Sequence, residues 1–158
     1  MDLCIISHRA NIDGPNSETE NNPDQILKCI DLGYDVEVDL WYSLSEREFY
    51  LGHDNPEYQV DYHWIKTHKQ KLWIHCKNID CLYKLSTIQD KFNYFWHQED
   101  DYTLTSKNFI WTYPGKSHTP NSVIVMPERN LDLVDFNQVR SYNVYGVCTD
   151  YPSLLRNV

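Results

Sequence analysis

The run DVEVDLWYS at 35–43 constrains the chain more than any other stretch, because it places two acids, Glu37 and Asp39, inside an otherwise apolar segment. In a strand, residues i and i+2 point to the same face, so these carboxylates project side by side. Paired carboxylates repel one another and are costly to bury without a compensating cation. A hard divalent ion bound through oxygen is the simplest compensation. The alternative is an exposed strand with both acids in solvent. Fifteen residues past Asp39 the chain reaches Gly52-His53-Asp54, a second polar cluster after the short run EFYL at 48–51.

Around this run, strand and helix patterns alternate. LCIIS at 3–7 reads as a buried strand ending in His8-Arg9, and 11–22 is a polar loop with Gly14 and Pro15. Pro23-Asp24 opens a helix whose apolar face carries Ile26, Leu27 and Ile30, with Gly33 as its terminator. Further strands are expected at KLWIHCK (71–77), NYFW (93–96), Leu104-Thr105, FIWTY (109–113), SVIVM (122–126) and VYGVCT (144–149), with helices over 79–92, 131–140 and 152–155. The polar stretch 55–70 is partly helical in pattern, without clear boundaries. Strand–helix–strand order implies a parallel sheet with right-handed crossovers. Seven or eight short strands approach the eight of a closed barrel, yet a full (β/α)₈ barrel takes about 250 residues. The 158 residues here, with no room for full helices between Asn93 and Ser122, therefore predict one α/β domain over 1–158. Its expected form is a trimmed (β/α)₈-like barrel with several helices reduced to loops; an open α/β sheet is the second architecture.

Charge and composition narrow the function. A net charge of −9 argues against nucleic-acid backbone binding, and 41% hydrophobic residues with 14% aromatics describe a globular chain. No apolar run approaches the ~20 residues of a membrane span. MDLCIISHR lacks the basic start and long apolar core of a secretory signal, and the five cysteines form no CxxC pair, so a cytoplasmic location with reduced thiols is expected. A thinned helical layer would leave aromatic surface exposed, which favours a homo-oligomer.

Polar residues gather where strands end: His8 and Arg9, then Glu37, Asp39 and His53, then His75 and Lys77, then Asp150. In a parallel barrel these ends meet at one rim, where active sites are built. Taken singly, each has an ordinary explanation as a hydrogen-bonded, solvated or capping residue. HRA at 8–10, GPNSETENN at 14–22, GYDVEVDL at 33–40, LGHD at 51–54, FIWTY at 109–113 and YGVCTDYPSLL at 145–155 occur in the order of a known pattern. Together they resemble the glycerophosphodiester phosphodiesterase family, with its HRG start, Glu-Asn-Thr segment, Glu-x-Asp strand, His-Asp pair, Trp-Thr strand and Thr-Asp-x-Pro ending.

That resemblance implies a TIM-barrel hydrolase of lipid metabolism that cleaves glycerophosphodiesters with a divalent cation, usually Mg²⁺ or Ca²⁺. It implies His8 and His53 as the general acid/base pair, Glu20, Glu37 and Asp39 as metal ligands, and Arg9 and Lys77 as phosphate-binding cations. Trp111, beside Thr112 at a strand end, is the candidate for contact with the substrate's glycerol. Two departures matter. Where the family carries Glu-x-Lys, this chain has His75-Cys76-Lys77. An imidazole there shifts metal preference toward Mn²⁺ or Zn²⁺, unless water fills the position instead. No insertion is long enough for the small extra domain of larger members. These departures motivate a second function, a catalytically weak or inactive module that binds phosphate or lipid headgroups on the same scaffold. A lyase releasing cyclic phosphates is a third reading, disfavoured by the missing secretory signal.

Overall fold

The structure, a computed structural model, describes residues 2–130 and 135–158. Ten strands form one curled sheet: β1 (Cys4–His8), β2 (Asp35–Ser43), β3 (Glu48–Leu51), β4 (Tyr58–Val60), β5 (Leu72–Cys76), β6 (Asn93–Phe95), β7 (Tyr102–Leu104), β8 (Ile110–Thr112), β9 (Ser122–Val125) and β10 (Gly146–Thr149). The helices are α1 (Pro23–Asp31), α2 (Tyr62–His68), α3 (Ile79–Thr87), α4 (Phe136–Arg140) and α5 (Pro152–Asn157), with a 3₁₀ turn at Pro127–Arg129. The helix expected over 131–140 is present at Phe136–Arg140; 131–134 lie outside the described residues.

A parallel series runs β6–β5–β2–β1–β10–β9–β8. β2 is its pivot. Its first half pairs with β1 and β5, while Leu40–Ser43 extends beyond β1 and pairs antiparallel with β3, which in turn carries β4. β7 pairs antiparallel with β8. The three antiparallel strands correct the all-parallel expectation, and β4 lies within the stretch whose pattern gave no boundaries. Between β6 and β8 there is no ladder: Ser106 N–H donates to the Tyr94 carbonyl at 2.8 Å, and Tyr94 N–H to Ser106 Oγ at 3.0 Å. The sheet is thus a curled half-barrel, consistent with a trimmed barrel. No helix lies between Phe95 and Ser122, as chain length dictates.

Alternation within the strands divides the core in two. On the outer face, Val36, Val38, Leu40, Leu72, Ile74 and Cys76 pack with Ile26 and Cys29 of α1 and Cys81 and Leu85 of α3. On the inner face, Ile6, Trp73, Phe95, Trp111, Val123 and Cys148 fill the lumen. β2 is buried on both faces, with Val36, Val38 and Leu40 of DVEVDL set outward into the core and the acids between them set inward. Its inner positions are Glu37 and Asp39, level with Trp73 and His75 of β5. Helix caps match the side chains available: Asn22 accepts from Asp24 N–H, and Asn78 from Cys81 N–H while also bonding the Tyr42 backbone at both its N–H and its carbonyl.

Asp90 ties α2 to the turn before β6. It accepts from Tyr62 Oη, from Lys69 Nζ at 2.9 Å and from Lys66 Nζ at 3.0 Å. The Tyr62 hydroxyl and the two lysines hold its carboxyl well below the usual range, and the same contact pushes Tyr62 up to about 12. A depressed carboxyl stabilises the fold above its unfolded value of about 3.9 and loses that contribution as pH falls toward the folded value. Asp90→Asn should therefore lower the melting temperature at neutral pH. The gap to wild type should narrow below about pH 4 and in high salt, as followed by thermal denaturation at several pH values and ionic strengths.

Candidate active site

The register of three parallel strands builds the site. His8 on β1 stands level with Glu37, and Asp39 with His75. The carboxyl-terminal strand ends open into a cavity of about 460 Å³ lined by His8, Arg9, Glu37, His53, His75 and Lys77 on one side. Its far wall is His97, Gln98 and Glu99 after β6, Tyr113 and Pro114 after β8, and Met126 and Arg129 after β9.

The turn after β1 is sharply wound. Arg9 and Ala10 both adopt left-handed backbone (φ 51° and 67°), a conformation that disfavours a Cβ and concentrates where function demands it. It is secured by Asn11 N–H to the His8 carbonyl, Asn21 N–H to the Arg9 carbonyl, and Ser7 Oγ to the Asn11 carbonyl at 2.6 Å. The winding turns Arg9 N–H onto Glu37 Oε2 at 3.2 Å and brings Arg9 Nε within 3.2 Å of Asp39 Oδ2. The Arg9 guanidinium also reaches Glu20 Oε2 at 3.4 Å, and Asn11 donates to Glu20 Oε1 at 2.9 Å.

Glu37 and Asp39 are only 2% and 0% exposed, and each has one oxygen engaged and one free. Asp39 Oδ2 accepts from Asn21 Nδ2, while the buried Oδ1 has no hydrogen-bond partner; His75 Nδ1 stands 3.1 Å from it and Lys77 Nζ 3.5 Å. Glu37 Oε1 faces His75 Nδ1 at 3.8 Å. Burial and the neighbouring Asp39 push the Glu37 carboxyl up. Burial acts the same way on Asp39, but the His75 ring, Arg9 and Lys77 overcome it and hold that carboxyl far down. One ligand atom each from Glu37, Asp39 and His75 lies within 4.8 Å of the other two, the only such cluster among the described residues. An orphaned, fully buried carboxylate oxygen beside a second carboxylate and an imidazole suits a divalent cation.

Two histidines flank this cluster. His8 Nδ1 bonds Asp150 Oδ1 at 2.7 Å, and its Nε2 lies 3.9 Å from Glu37 Oε2. Burial would lower the His8 pKa, but Asp150 and Glu37 outweigh it and raise the value. Asp150 is itself fixed: Asn11 donates to it at 2.8 Å, and Glu128 Oε1 accepts its backbone N–H at 2.9 Å together with the Thr149 hydroxyl. His53, more exposed, bonds Asp54 at 2.7 Å through Nδ1. Each imidazole thus has a carboxylate at Nδ1.

Of the residues singled out in the sequence, the structure brings His8, Arg9, Glu37, His53, His75, Lys77 and Trp111 to one cavity, with Asp39 directly beneath. It does not bring Glu20 into the Glu37–Asp39–His75 cluster; its carboxylate is taken up by Arg9 and Asn11. Trp111 reaches the cavity from within the lumen, 5% exposed and packed on Phe95 with ring centroids 4.6 Å apart. His97, Gln98, Glu99, Tyr113, Met126, Arg129 and Glu128 were not anticipated. The polar run HQEDD immediately after a strand was the one signal that marked part of this wall.

Comparison with known proteins gives the fold an independent anchor. No family model matches the chain, and no curated protein sequence matches it. Among solved structures it is similar to a glycerophosphodiester phosphodiesterase from Agrobacterium tumefaciens str. C58. The TM-score is 0.60 over 99% of this chain and 100% of that chain, at 15% sequence identity. At that identity the likeness establishes the fold alone.

Two substitutions probe this geometry. Gly52 precedes His53 with φ 147°, and a Cβ there would meet the Asn55 carbonyl oxygen at 2.1 Å. Gly52→Ala should destabilise the protein by about 1–3 kcal/mol in chemical denaturation, because backbone rather than a flexible side chain must move. Glu37→Gln removes a like-charge neighbour from Asp39. In EDTA its melting temperature should equal or exceed that of wild type, whereas the stabilisation from added divalent cation, about 2.7 kcal/mol at a hundred times Kd, should vanish.

Proposed function

We propose that the chain is a phosphoric diester hydrolase acting on glycerophosphodiesters, on a trimmed (β/α)₈ barrel. The observation that carries this reading is the single cavity lined by His8, His53, Arg9 and Lys77 above the buried Glu37–Asp39 pair. The similarity to a solved phosphodiesterase fold, and the ordered motifs along the chain, support it.

A phosphodiester resists attack because its own anionic charge repels the nucleophile. Glu37 and Asp39, with His75 beside them, would hold a divalent cation, which when bound supplies charge neutralisation and polarisation of the phosphoryl oxygens. Lys77, whose Nζ already sits beside Asp39, and Arg9 add positive charge at the phosphate. Glu20 and Asn11 hold the Arg9 side of this array in place. Of the two imidazoles, one takes a proton from the attacking water as its oxygen bonds to phosphorus. The other delivers a proton to the alkoxide as the phosphorus–oxygen bond to the alcohol breaks. Glycerol phosphate and the free alcohol result. Asp150 and Asp54 fix the Nδ1 side of each ring, so Nε2 is the working nitrogen on both.

The purified protein should release alcohol from glycerophosphodiesters such as glycerophosphocholine, and EDTA should stop it. His8→Ala and His53→Ala should each lower kcat by on the order of 10²-fold or more. Asp150→Asn should lower kcat with little change in KM. Binding of glycerol phosphate without turnover in any divalent metal would overturn the hydrolase reading in favour of a headgroup-binding module.

A further inference from the structure

Around the buried carboxylate pair, three side chains are each engaged at one end and bare at the other. Asp39 Oδ2 is held by Asn21, leaving Oδ1 buried without a hydrogen bond. Glu37 Oε2 is held by Arg9 N–H, leaving Oε1. His75 Nε2 lies 2.9 Å from the His97 carbonyl. A carbonyl only accepts, so that nitrogen carries a proton, and in the neutral ring Nδ1 presents a lone pair. The ring plane is held by stacking on Phe95 at 5.2 Å with planes 6° apart, and its orientation in that plane by the His97 carbonyl. A lone pair directed at two carboxylate oxygens, 3.1 and 3.8 Å away, is a repulsive arrangement that a cation between them converts into an attractive one. Ligand atoms about 2.1 Å from one small cation are separated by on the order of 3 Å, the scale of these gaps.

We propose that this is a first-row transition-metal site in the Mn²⁺-to-Zn²⁺ range, with a protein face of one nitrogen and two oxygens: His75 Nδ1, Glu37 Oε1 and Asp39 Oδ1. The His97 carbonyl is its outer anchor. Glu20 is a positioning residue for Arg9 and lies outside the ligand set. The inference rests on the proposed metal dependence and goes further, to the ion's class and its ligands. Ca²⁺ is poorly matched, because it takes six to eight oxygens at longer range, and Mg²⁺ discriminates against nitrogen in favour of water and carboxylate. Imidazole favours the transition series. The engaged far atoms of all three side chains are the outer contacts that orient ligands and set their tautomers.

Direct measurement of the coordination sphere tests this apart from turnover. Pulsed electron paramagnetic resonance of the full chain loaded with Mn²⁺ should show a coupled ¹⁴N, lost in His75→Gln and in His75→Glu. In competition titrations followed by thermal shift, Mn²⁺ and Zn²⁺ should bind the wild type at least about tenfold more tightly than Mg²⁺ or Ca²⁺, and His75→Glu should erase or invert that preference. Glu20→Gln should leave Mn²⁺ affinity within about threefold. Bound Mn²⁺ without nitrogen coupling, a wild type that prefers Mg²⁺ or Ca²⁺, a large affinity loss in Glu20→Gln, or no metal uptake would each overturn the assignment. Nitrogen-coupled Mn²⁺ in a protein that hydrolyses no phosphodiester would uphold the site while removing the hydrolase reading. Turnover in Mg²⁺ with an oxygen-only Mn²⁺ sphere would do the reverse.

Discussion

Two carboxylates forced side by side into a protein interior set the terms for everything near them. Glu37 and Asp39 occupy successive inward positions of a strand buried on both faces, so neither can turn to solvent. Their repulsion is met by Arg9 from the turn after β1, by Lys77 just after β5 and by His8 from β1. Each compensating group comes from a strand paired with β2 or from the turn that follows it. The left-handed backbone at Arg9 and Ala10 belongs to the same account. A relaxed turn would carry the Arg9 N–H away from Glu37, so local strain is the cost of bringing a cation and an amide to the acids.

The lumen explains why the acids are buried at all. Trp73, Phe95 and Trp111 fill the interior with large rings, and Phe109 and Tyr145 close it from below with centroids 4.2 Å apart. Beside this layer the exposure of Glu37 and Asp39 stays near zero. Charges placed in such a medium interact more strongly than they would in water. Part of the 14% aromatic content thus serves as the floor of the site.

Much of this was legible in the chain. DVEVDLWYS and EFYL fall on strands with unchanged bounds, marked by their alternation and by Val and aromatic residues. The gathering of His8, Arg9, Glu37, His75 and Lys77 followed from parallel pairing and from their places at strand ends. What escaped reading depended on contacts distant in sequence. β4 is only three residues, and its pairing comes from β3. The sequence predicts a strand at Leu104-Thr105, but β7 runs Tyr102–Leu104, and its antiparallel direction comes from pairing with β8. Glu20 sits in the expected segment, but the tight turn at Arg9 and Ala10 brings the guanidinium to it, which no local pattern encodes. FIWTY forms a strand as read, yet SVIVM is interposed between it and the last strand, so its place along the rim had to come from the sheet order. Nothing local in the sequence marks Glu128; only the fold shows it accepting the Asp150 amide.

The barrel wall is unequal. From β1 through β5 the outer face is covered by α1 and α3, whereas β7 and β8 have no helix over them and hold to β6 through Ser106 and one hydroxyl bond from Thr103. With no helical cover, β7 and β8 are the part expected to open first, apart from the half that holds the acids and imidazoles. Under the proposed hydrolase reading, a wall that opens locally opposite the ordered acids and imidazoles would admit alcohols of different bulk without disturbing those groups. On that reading, breadth of leaving group would follow from the stretch of wall that carries no helix.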